Sequence, residues 1–397
     1  MSLRRRRVIV AAVCISALGL GALPALRADP LPVPGTGVLA PDAQPDPAWA
    51  TGYRSQLVSF PSRRSHAVLA GTLYAPANLD ALDRLPAVVV IPPSGGVATQ
   101  GSVSYLAKFL AIHGFVGLTV DPQGVGNSPA FGDPPCTGEG GSTNPSPCPN
   151  VPFQQIDNFF DAGQSALDFL LGAADPWRAH VDAHRVGATG HSEGARVASY
   201  LQDPAFDGRV SAVVALDNLT ANYCGDAGTP SQEGPAGETG LENVIVNGQP
   251  TCLSDPGNPS FTVHPTAPAM GLGSDGNGGL GRDAGALTAG PPGEKKAAFT
   301  TWKAAGVPAM ELVLAGVNHN QFAQTRSSDE VTLHKIAVYA EAWFALFLQH
   351  DHAALDTLLA RSVLGQPVRE FLATGYDSAL FLPHPLLDCE QFQLNCP

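Results

Sequence analysis

A serine flanked by small residues is the clearest chemical signal in the sequence. The stretch Gly190-His191-Ser192-Glu193-Gly194 follows a short apolar run and precedes a helical pattern. A serine hydroxyl is a poor nucleophile unless a base removes its proton and the backbone presents it to substrate. A sharp strand-to-helix turn presents it, and the residues two before and two after must then be very small. Ser192 is therefore predicted to be a nucleophile.

A nucleophilic serine needs a base, and the base needs an acid that fixes its tautomer and stabilises its positive charge. His319 is the predicted base because it follows the last predicted parallel strand, 309–315. Two carboxylates compete for the acid, since Asp275 and Asp217 each follow a predicted strand and the chain order Ser, Asp, His allows either. Asp275 is favoured because its strand is the penultimate one before His319. The side chain of His191 is expected to point away from the nucleophile.

An oxyanion hole needs two backbone N–H groups aimed at the developing charge. One is expected from Glu193, directly after the nucleophile, and the other from the loop 93–96, with Gly95 as the favoured donor. The alternative is that Gly95 and Gly96 form a plain turn.

The segment beginning at Asp275 also has some likeness to a calcium loop, but it lacks the later bidentate glutamate of an EF-hand. No metal and no cofactor are predicted.

The elements that position these residues alternate between strand and helix. A hairpin is predicted over 56–60 and 67–74, and the continuous apolar run Leu85–Ile91 is typical of a strand buried on both faces. Further strands are predicted at 115–120, 184–189, 210–216, 267–273 and 309–315, separated by helical patterns. This indicates an α/β protein with a mostly parallel central sheet flanked by helices. Because sites in such sheets lie beyond the carboxyl ends of the strands, Ser192, both candidate acids and His319 can converge on one rim.

The N-terminus is arranged like an export signal. Residues 4–7 are arginines, residues 8–23 are an apolar run, and small residues around Ala22, Ala25 and Ala28 offer a cleavage site. The run is shorter than the roughly 20 residues that span a membrane. Residues 1–28 are therefore predicted to be a cleaved signal peptide, with an uncleaved anchor as the alternative, and the arginines also suit twin-arginine export. The mature protein is expected to be secreted or periplasmic, with no stable membrane span.

The charge balance excludes one class of partner. The chain has 22 basic and 35 acidic side chains, and removal of residues 1–28 takes away five arginines, so that the net charge falls from −13 to −18. Nucleic-acid binding requires clustered basic charge, which this composition does not supply.

Six cysteines remain after signal cleavage, and an even number in an exported chain indicates disulfides. Their spacing suggests three local pairs, Cys136–Cys148, Cys224–Cys252 and Cys389–Cys396. None forms a C-x-x-C motif, which argues against a zinc or redox site.

The irregular segments suggest a domain plan. Residues 29–50 are a proline-rich linker, and residues 51–397 form the main domain. Within it, 129–152 is a stapled surface loop, 218–265 is a lid-like insertion over the rim, and 351–397 is a C-terminal extension.

Four segments carry a family resemblance: 69–76 (LAGTLYAP), 121–128 (DPQGVGNS), 190–194 (GHSEG) and 316–320 (GVNHN). Between about Tyr53 and His350 the chain resembles an α/β-hydrolase, close to the dienelactone hydrolase, cutinase-like polyesterase and platelet-activating-factor acetylhydrolase branches. The resemblance implies that Ser192 attacks an ester carbonyl, that His319 acts as base and then acid, and that Asp275 orients it. Pro93-Ser94 replaces the usual His-Gly or Pro-Gly before the oxyanion turn. The insertion 218–265 has no clear place in the small polyesterases, so an open, polymer-accepting cleft is not implied.

Three functions remain open from the sequence. The first is a secreted serine esterase that acts through an acyl-enzyme on a small-molecule, lipid or polymeric ester. The second is a serine peptidase of the same fold, although no propeller-like or jelly-roll domain is present to sort peptides. The third is a catalytically inactive α/β-hydrolase that serves as a binding protein, which is disfavoured because all three chemical positions are filled.

Overall fold

The structure is a computed structural model, and it describes the sheet, its helices and most of the strand ends. The described residues are 47–63, 66–94, 99–128, 156–217, 219–221, 245–246, 249–250, 263–274, 294–314, 317–325, 328–359, 362–364, 366–367 and 372–379. All of them belong to one unit of the chain, Leu39–Pro397. The six cysteines predicted to pair, and residues 1–28 of the predicted signal, lie outside these ranges.

A nine-stranded sheet forms the centre of this unit. The strands of the described residues are, in chain order, β1 (Tyr53–Pro61), β2 (Val68–Pro76), β3 (Leu85–Ile91), β4 (Val116–Val120), β5 (Val181–His191), β6 (Ala212–Leu216), β7 (Ile245–Val246), β8 (Gln249–Pro250), β9 (Ala269–Ser274), β10 (Ala309–Leu314), β11 (Ser362–Val363), β12 (Gln366–Pro367) and β13 (Leu372–Ala379). The main sheet has the order β1-β2-β4-β3-β5-β6-β9-β10-β13, while β7 pairs with β8 and β11 with β12.

The strands from β4 to β10 across the sheet run parallel to one another. The predicted hairpin β1–β2 is antiparallel, β2 is antiparallel to β4, and β13 is antiparallel to β10. The predicted α/β architecture with a mostly parallel sheet is therefore confirmed. Its consequence for function is that the carboxyl ends of β5, β6, β9 and β10 lie side by side at one edge.

The helices cover both faces of the sheet. They are α1 (Gln100–Ile112), α2 (Ile156–Leu171), α3 (Glu193–Leu201), α4 (Glu294–Ala304), α5 (Glu330–Phe344) and α6 (Ala354–Leu358), with 3₁₀ turns at Leu79–Ala81, Arg178–His180 and His319–Phe322 and a π turn at Ala345–Gln349. Helices α2, α3 and α4 pack on one face, and α1 and α5 on the other. The span Glu330–Gln349 has the length and composition of a membrane helix but is mostly buried, as in a core helix.

The run Leu85–Ile91 shows why a continuous apolar strand suits this position. Val89 and Ile91 belong to the core under α2 and α3, whereas Val88 and Val90 belong to the core under α1 and α5. Successive side chains of a strand point to opposite faces, so a strand covered on both faces needs an apolar residue at every position.

The ninth strand was not predicted from the sequence. The segment LATGYDSA of β13 pairs with β10 from Ala309 opposite Ala379 to Leu314 opposite Leu372. It has neither a β-branched apolar run nor a clear alternation, so its strand character comes from pairing with the edge of the sheet rather than from local propensity.

Candidate active site

The turn at Ser192 has the strained geometry that a presented serine requires. Ser192 has φ 55° and ψ −116°, which is outside the regions that non-glycine residues usually adopt. It stands between the end of β5 and the start of α3, and its carbonyl accepts hydrogen bonds from the N–H groups of Ala195 and Arg196. Such backbone strain costs on the order of 1–3 kcal/mol and occurs mainly at functional sites.

The two flanking glycines are required by close backbone contacts. A Cβ on Gly190 would lie 2.5 Å from the carbonyl carbon of Gly194, and a Cβ on Gly194 would lie 2.7 Å from the carbonyl carbon of Ile91 and from the Pro92 oxygen. Real Cβ atoms do not approach backbone so closely. The spacing predicted from the sequence therefore has a steric cause, because the turn packs directly on the end of β3.

The same contact places the start of the predicted oxyanion loop beside the serine turn. Gly194 packs against Pro92, the first residue after β3, and Glu193 opens α3, where backbone N–H groups have no partner within the helix. The Glu193 carboxylate lies 3.6 Å from the Arg196 guanidinium. Gly95 lies outside the described residues, so its assignment as the second donor stays a prediction.

His319, the predicted base, meets Asp217, one of the two candidate acids, at the rim of the sheet. Nδ1 of His319 lies 2.6 Å from Oδ2 of Asp217. The Asp217 side chain is fully buried and the His319 side chain is 13% exposed. This contact assigns the proton of the neutral imidazole to Nδ1, because a carboxylate only accepts hydrogen bonds, and leaves Nε2 as the proton acceptor.

The carboxylate at His319 is thus the alternative that the sequence left open, not the favoured one. Asp217 has φ 47°, and its N–H donates to the carbonyl of Leu272 at 2.7 Å. This left-handed turn directly after β6 sends the side chain towards the next strand ends rather than along the strand. Asp275 lies outside the described residues, and its role stays a prediction that the Asp217 contact disfavours.

A serine on the intervening strand completes the surroundings of Asp217. Ser274, the last residue of β9, donates its N–H to Oδ1 at 3.0 Å, and its Oγ lies 3.0 Å from both carboxylate oxygens. No sequence pattern points to this residue, because a serine at a strand end is too common to single out.

The loop of His319 is fixed by its own cap and by α1. The Asn318 side chain accepts the Asn320 N–H, and the Gln321 side chain accepts the Asn318 N–H, forming a capping box. The Tyr105 hydroxyl donates to the Phe322 carbonyl at 2.9 Å. The turn that carries His319 is therefore held by hydrogen bonds on both sides of the histidine.

His191, the residue before Ser192, contacts the predicted base His319. The His191 ring is buried, lies 4.6 Å from the His319 ring between centroids, and stacks on Phe322 at 5.9 Å. The Ser192 N–H donates to the carbonyl of Leu216, the residue before Asp217. The strand ends that carry Ser192, Asp217 and His319 are thus joined to one another.

A second buried carboxylate, Asp121, joins the segment after β4 to the start of α1. Asp121 accepts the Gln100 N–H at 2.6 Å, the Gln100 side-chain amide at 3.0 Å and the Asn127 N–H at 3.0 Å. Burial raises the pKa of Asp121 to about 6, although these donors act to lower it. Gly126, with φ 52°, leaves room for this carboxylate, since a Cβ there would lie 2.5 Å from its Oδ2. Asp121 thereby connects segment 121–128 to Gln100, the first residue of α1.

The described groups match the requirements of nucleophilic acyl transfer. A strained serine at a helix N-terminus, an imidazole with its Nδ1 proton directed at a buried carboxylate, and N–H groups near the serine are the parts that such chemistry needs. No protein-family model matches the chain, and no curated protein matches it.

Proposed function

We propose that this protein is an exported serine hydrolase that cleaves carboxylic esters through an acyl-enzyme intermediate. The observation that carries the proposal is the 2.6 Å contact between His319 and Asp217 at the same sheet edge as the strained Ser192. A buried carboxylate on Nδ1 of a histidine stabilises the imidazolium that forms when the histidine takes a proton.

In this mechanism Ser192 attacks the ester carbonyl while His319 Nε2 accepts the hydroxyl proton. The Glu193 N–H and a second N–H, proposed from Gly95, stabilise the oxyanion of the tetrahedral intermediate. His319 then protonates the leaving alcohol, and the acyl group stays on Ser192. A water molecule, deprotonated by the same imidazole, releases the acid and restores the serine. Asp217 remains ionised throughout and keeps the imidazole in its orientation.

The α/β-hydrolase fold is part of the proposal. A nucleophile turn after a central strand of a mostly parallel sheet, and the chain order Ser192, Asp217, His319, are features of that fold. They agree with the resemblance carried by segments 69–76, 121–128, 190–194 and 316–320.

Turnover of esters and peptides tests the substrate class. The mature protein is incubated with aryl esters of increasing acyl length and with a matched set of peptide amides. The proposal predicts hydrolysis of esters that Ser192→Ala abolishes and Ser165→Ala preserves. Ser165 is a matched control, because it is a buried serine with two hydrogen bonds, to Arg63 N–H and the Asp161 carbonyl, in another part of the fold. Efficient cleavage of the peptides and none of the esters would contradict an esterase.

Export and disulfide formation complete the proposal. Residues 1–28 are proposed to be removed on export, and the six remaining cysteines to pair as Cys136–Cys148, Cys224–Cys252 and Cys389–Cys396. Mass spectrometry of the secreted protein, before and after reduction, measures the new N-terminus and the peptide pairs. A mature chain that begins at Met1, or free thiols on all six cysteines, would contradict it.

A further inference from the structure

Strand β9 ends at Ser274, between the strand that carries Asp217 and the strand that precedes His319. Its hydroxyl lies 3.0 Å from each oxygen of the Asp217 carboxylate, and its N–H donates to Oδ1. Ser274 and the Asp217 side chain are both fully buried. Water therefore does not compete for these contacts. A hydrogen bond to a charged group has its greatest effect where water is excluded.

The geometry separates the two tasks that a triad acid performs. The oxygen Oδ2 faces the imidazole, whereas Oδ1 accepts the backbone N–H of Ser274. The hydroxyl lies at the same distance from both oxygens, and it therefore fixes the rotation of the carboxylate about its Cβ–Cγ bond. It also draws negative charge away from the imidazole, since a donated hydrogen bond stabilises the ionised carboxylate.

We propose that Ser274 is a positioning residue of the catalytic machinery, whose hydroxyl holds the Asp217 carboxylate against Nδ1 of His319 and sets the basicity of that ring. The inference rests on the proposed serine-hydrolase function and deepens it. Ser274 does not contact the reacting atoms; it acts on His319 only through Asp217. The sequence favoured Asp275, just after β9, as the acid. In this proposal the end of β9 instead supplies Ser274, which donates a hydrogen bond to Asp217.

Among the residues that the structure describes, two titratable side chains contact the His319 ring: Asp217 from the end of β6 and His191 from the end of β5. Removal of the Ser274 hydroxyl leaves both side chains in place, frees the rotation of the Asp217 carboxylate and leaves more negative charge on its oxygens. A more basic carboxylate favours the imidazolium form of His319. The histidine must be neutral to accept the serine proton, so activity would then require a higher pH.

The test is the pH profile of kcat/KM for Ser274→Ala with a short-chain aryl ester. The variant keeps the backbone N–H and loses only the hydroxyl. The acidic limb is expected to move to higher pH by about half to one unit, and kcat to fall roughly tenfold with KM little changed. Ser165→Ala, which removes another buried hydroxyl, is expected to leave both the limb and kcat at their wild-type values.

The titration of His319 is followed in parallel by NMR of isotope-labelled histidine, with its resonance assigned by loss in His319→Gln. This resolves His319 from His191 and does not depend on turnover. An acidic limb and a His319 titration that stay in place or move to lower pH would overturn the role of Ser274, whatever the change in kcat. An inactive wild-type protein with a normal fold would instead overturn the proposed function, which keeps the two failures distinct.

Discussion

Nδ1 of His319 lies 2.6 Å from Oδ2 of Asp217, and this contact bridges two strand ends that are not adjacent in the sheet. Asp217 follows β6 and His319 follows β10, with β9 between them. The bridge is possible because Asp217 turns out of its strand at φ 47° and because β9, the strand between them, ends at the small Ser274. The acid and the base of the proposed triad are therefore positioned by three strands together.

Replacement of Asp217 should separate the two candidate acids. Asp217→Asn keeps the shape of the side chain but removes the charge that stabilises the imidazolium, so kcat/KM for an ester should fall by about 10³–10⁴-fold. Asp275→Asn is the matched control and should fall less than about tenfold. The measurement is kcat/KM of the purified variants at one pH, with circular dichroism to verify folding. A larger loss in Asp275→Asn would show that the acid lies at the end of β9.

Truncation of His191 should impair turnover without weakening substrate binding. Its buried ring packs on His319 and Phe322, so His191→Ala removes a packing contact that supports the His319 ring. We expect a fall in kcat of roughly tenfold, with a stability loss of about 2–4 kcal/mol from the cavity. His191→Phe keeps a ring in the same place and should retain most of kcat. An unchanged kcat in folded His191→Ala would mean that the ring contact has no part in catalysis.

A methyl group on Gly194 should disrupt the serine turn. The added Cβ would meet the carbonyl groups of Ile91 and Pro92, and backbone cannot yield as a flexible side chain does. Gly194→Ala should lose more than about 3 kcal/mol of stability, together with its activity. Gly101→Ala in α1 is the control, because its Cβ would meet only the Thr99 hydroxyl at 3.3 Å and alanine favours helix. Urea unfolding measures both, and a Gly194→Ala protein of wild-type stability would contradict the packing described.

Asp121 should make stability depend on pH. Burial raises its pKa from the usual 3.8 to about 6 in the folded state. Because the pKa of Asp121 is higher in the folded than in the unfolded protein, protonation of Asp121 stabilises the folded protein. That stabilisation is fully present below about pH 4 and is lost as pH rises through about 6. Wild type should therefore lose up to about 3 kcal/mol relative to Asp121→Asn over that interval.

Urea unfolding of both proteins across this pH range measures the difference. Burial also raises the pKa of Asp175 to about 6, but Asp175 is present in both proteins and its contribution cancels. A difference in stability between the two proteins that does not vary with pH would show that Asp121 does not titrate in this range.

Most of the sheet could be predicted because its strands have recognisable local sequence patterns. Continuous apolar runs such as Leu85–Ile91 specify a strand covered on both faces, and the glycines around Ser192 specify the turn. His319 was also predictable, since it follows the last parallel strand. In contrast, β13 carries no such pattern and became a strand only by pairing with β10.

The choice of the acid could not be made from the sequence. Asp217 and Asp275 both follow strands that end at the same rim, and strand periodicity does not encode which carboxylate reaches across to His319. The outcome depends on a positive φ at Asp217 and on its contacts with Leu272 and Ser274, all of which are tertiary. The contact between His191 and His319 is hidden for the same reason, because the strained turn determines where the ring lies.

Covalent labelling by a fluorophosphonate tests the central claim most directly, because the reagent reacts with a serine only when the serine is activated as a nucleophile. The mature protein is treated with the reagent, digested, and mapped by mass spectrometry. One adduct is predicted, on Ser192 within the Gly190–Gly194 turn, with no labelling of Ser192→Ala and strongly slowed labelling of His319→Gln. An unlabelled wild-type protein, or equal labelling of Ser192→Ala, would contradict the assignment of this chain as a serine hydrolase.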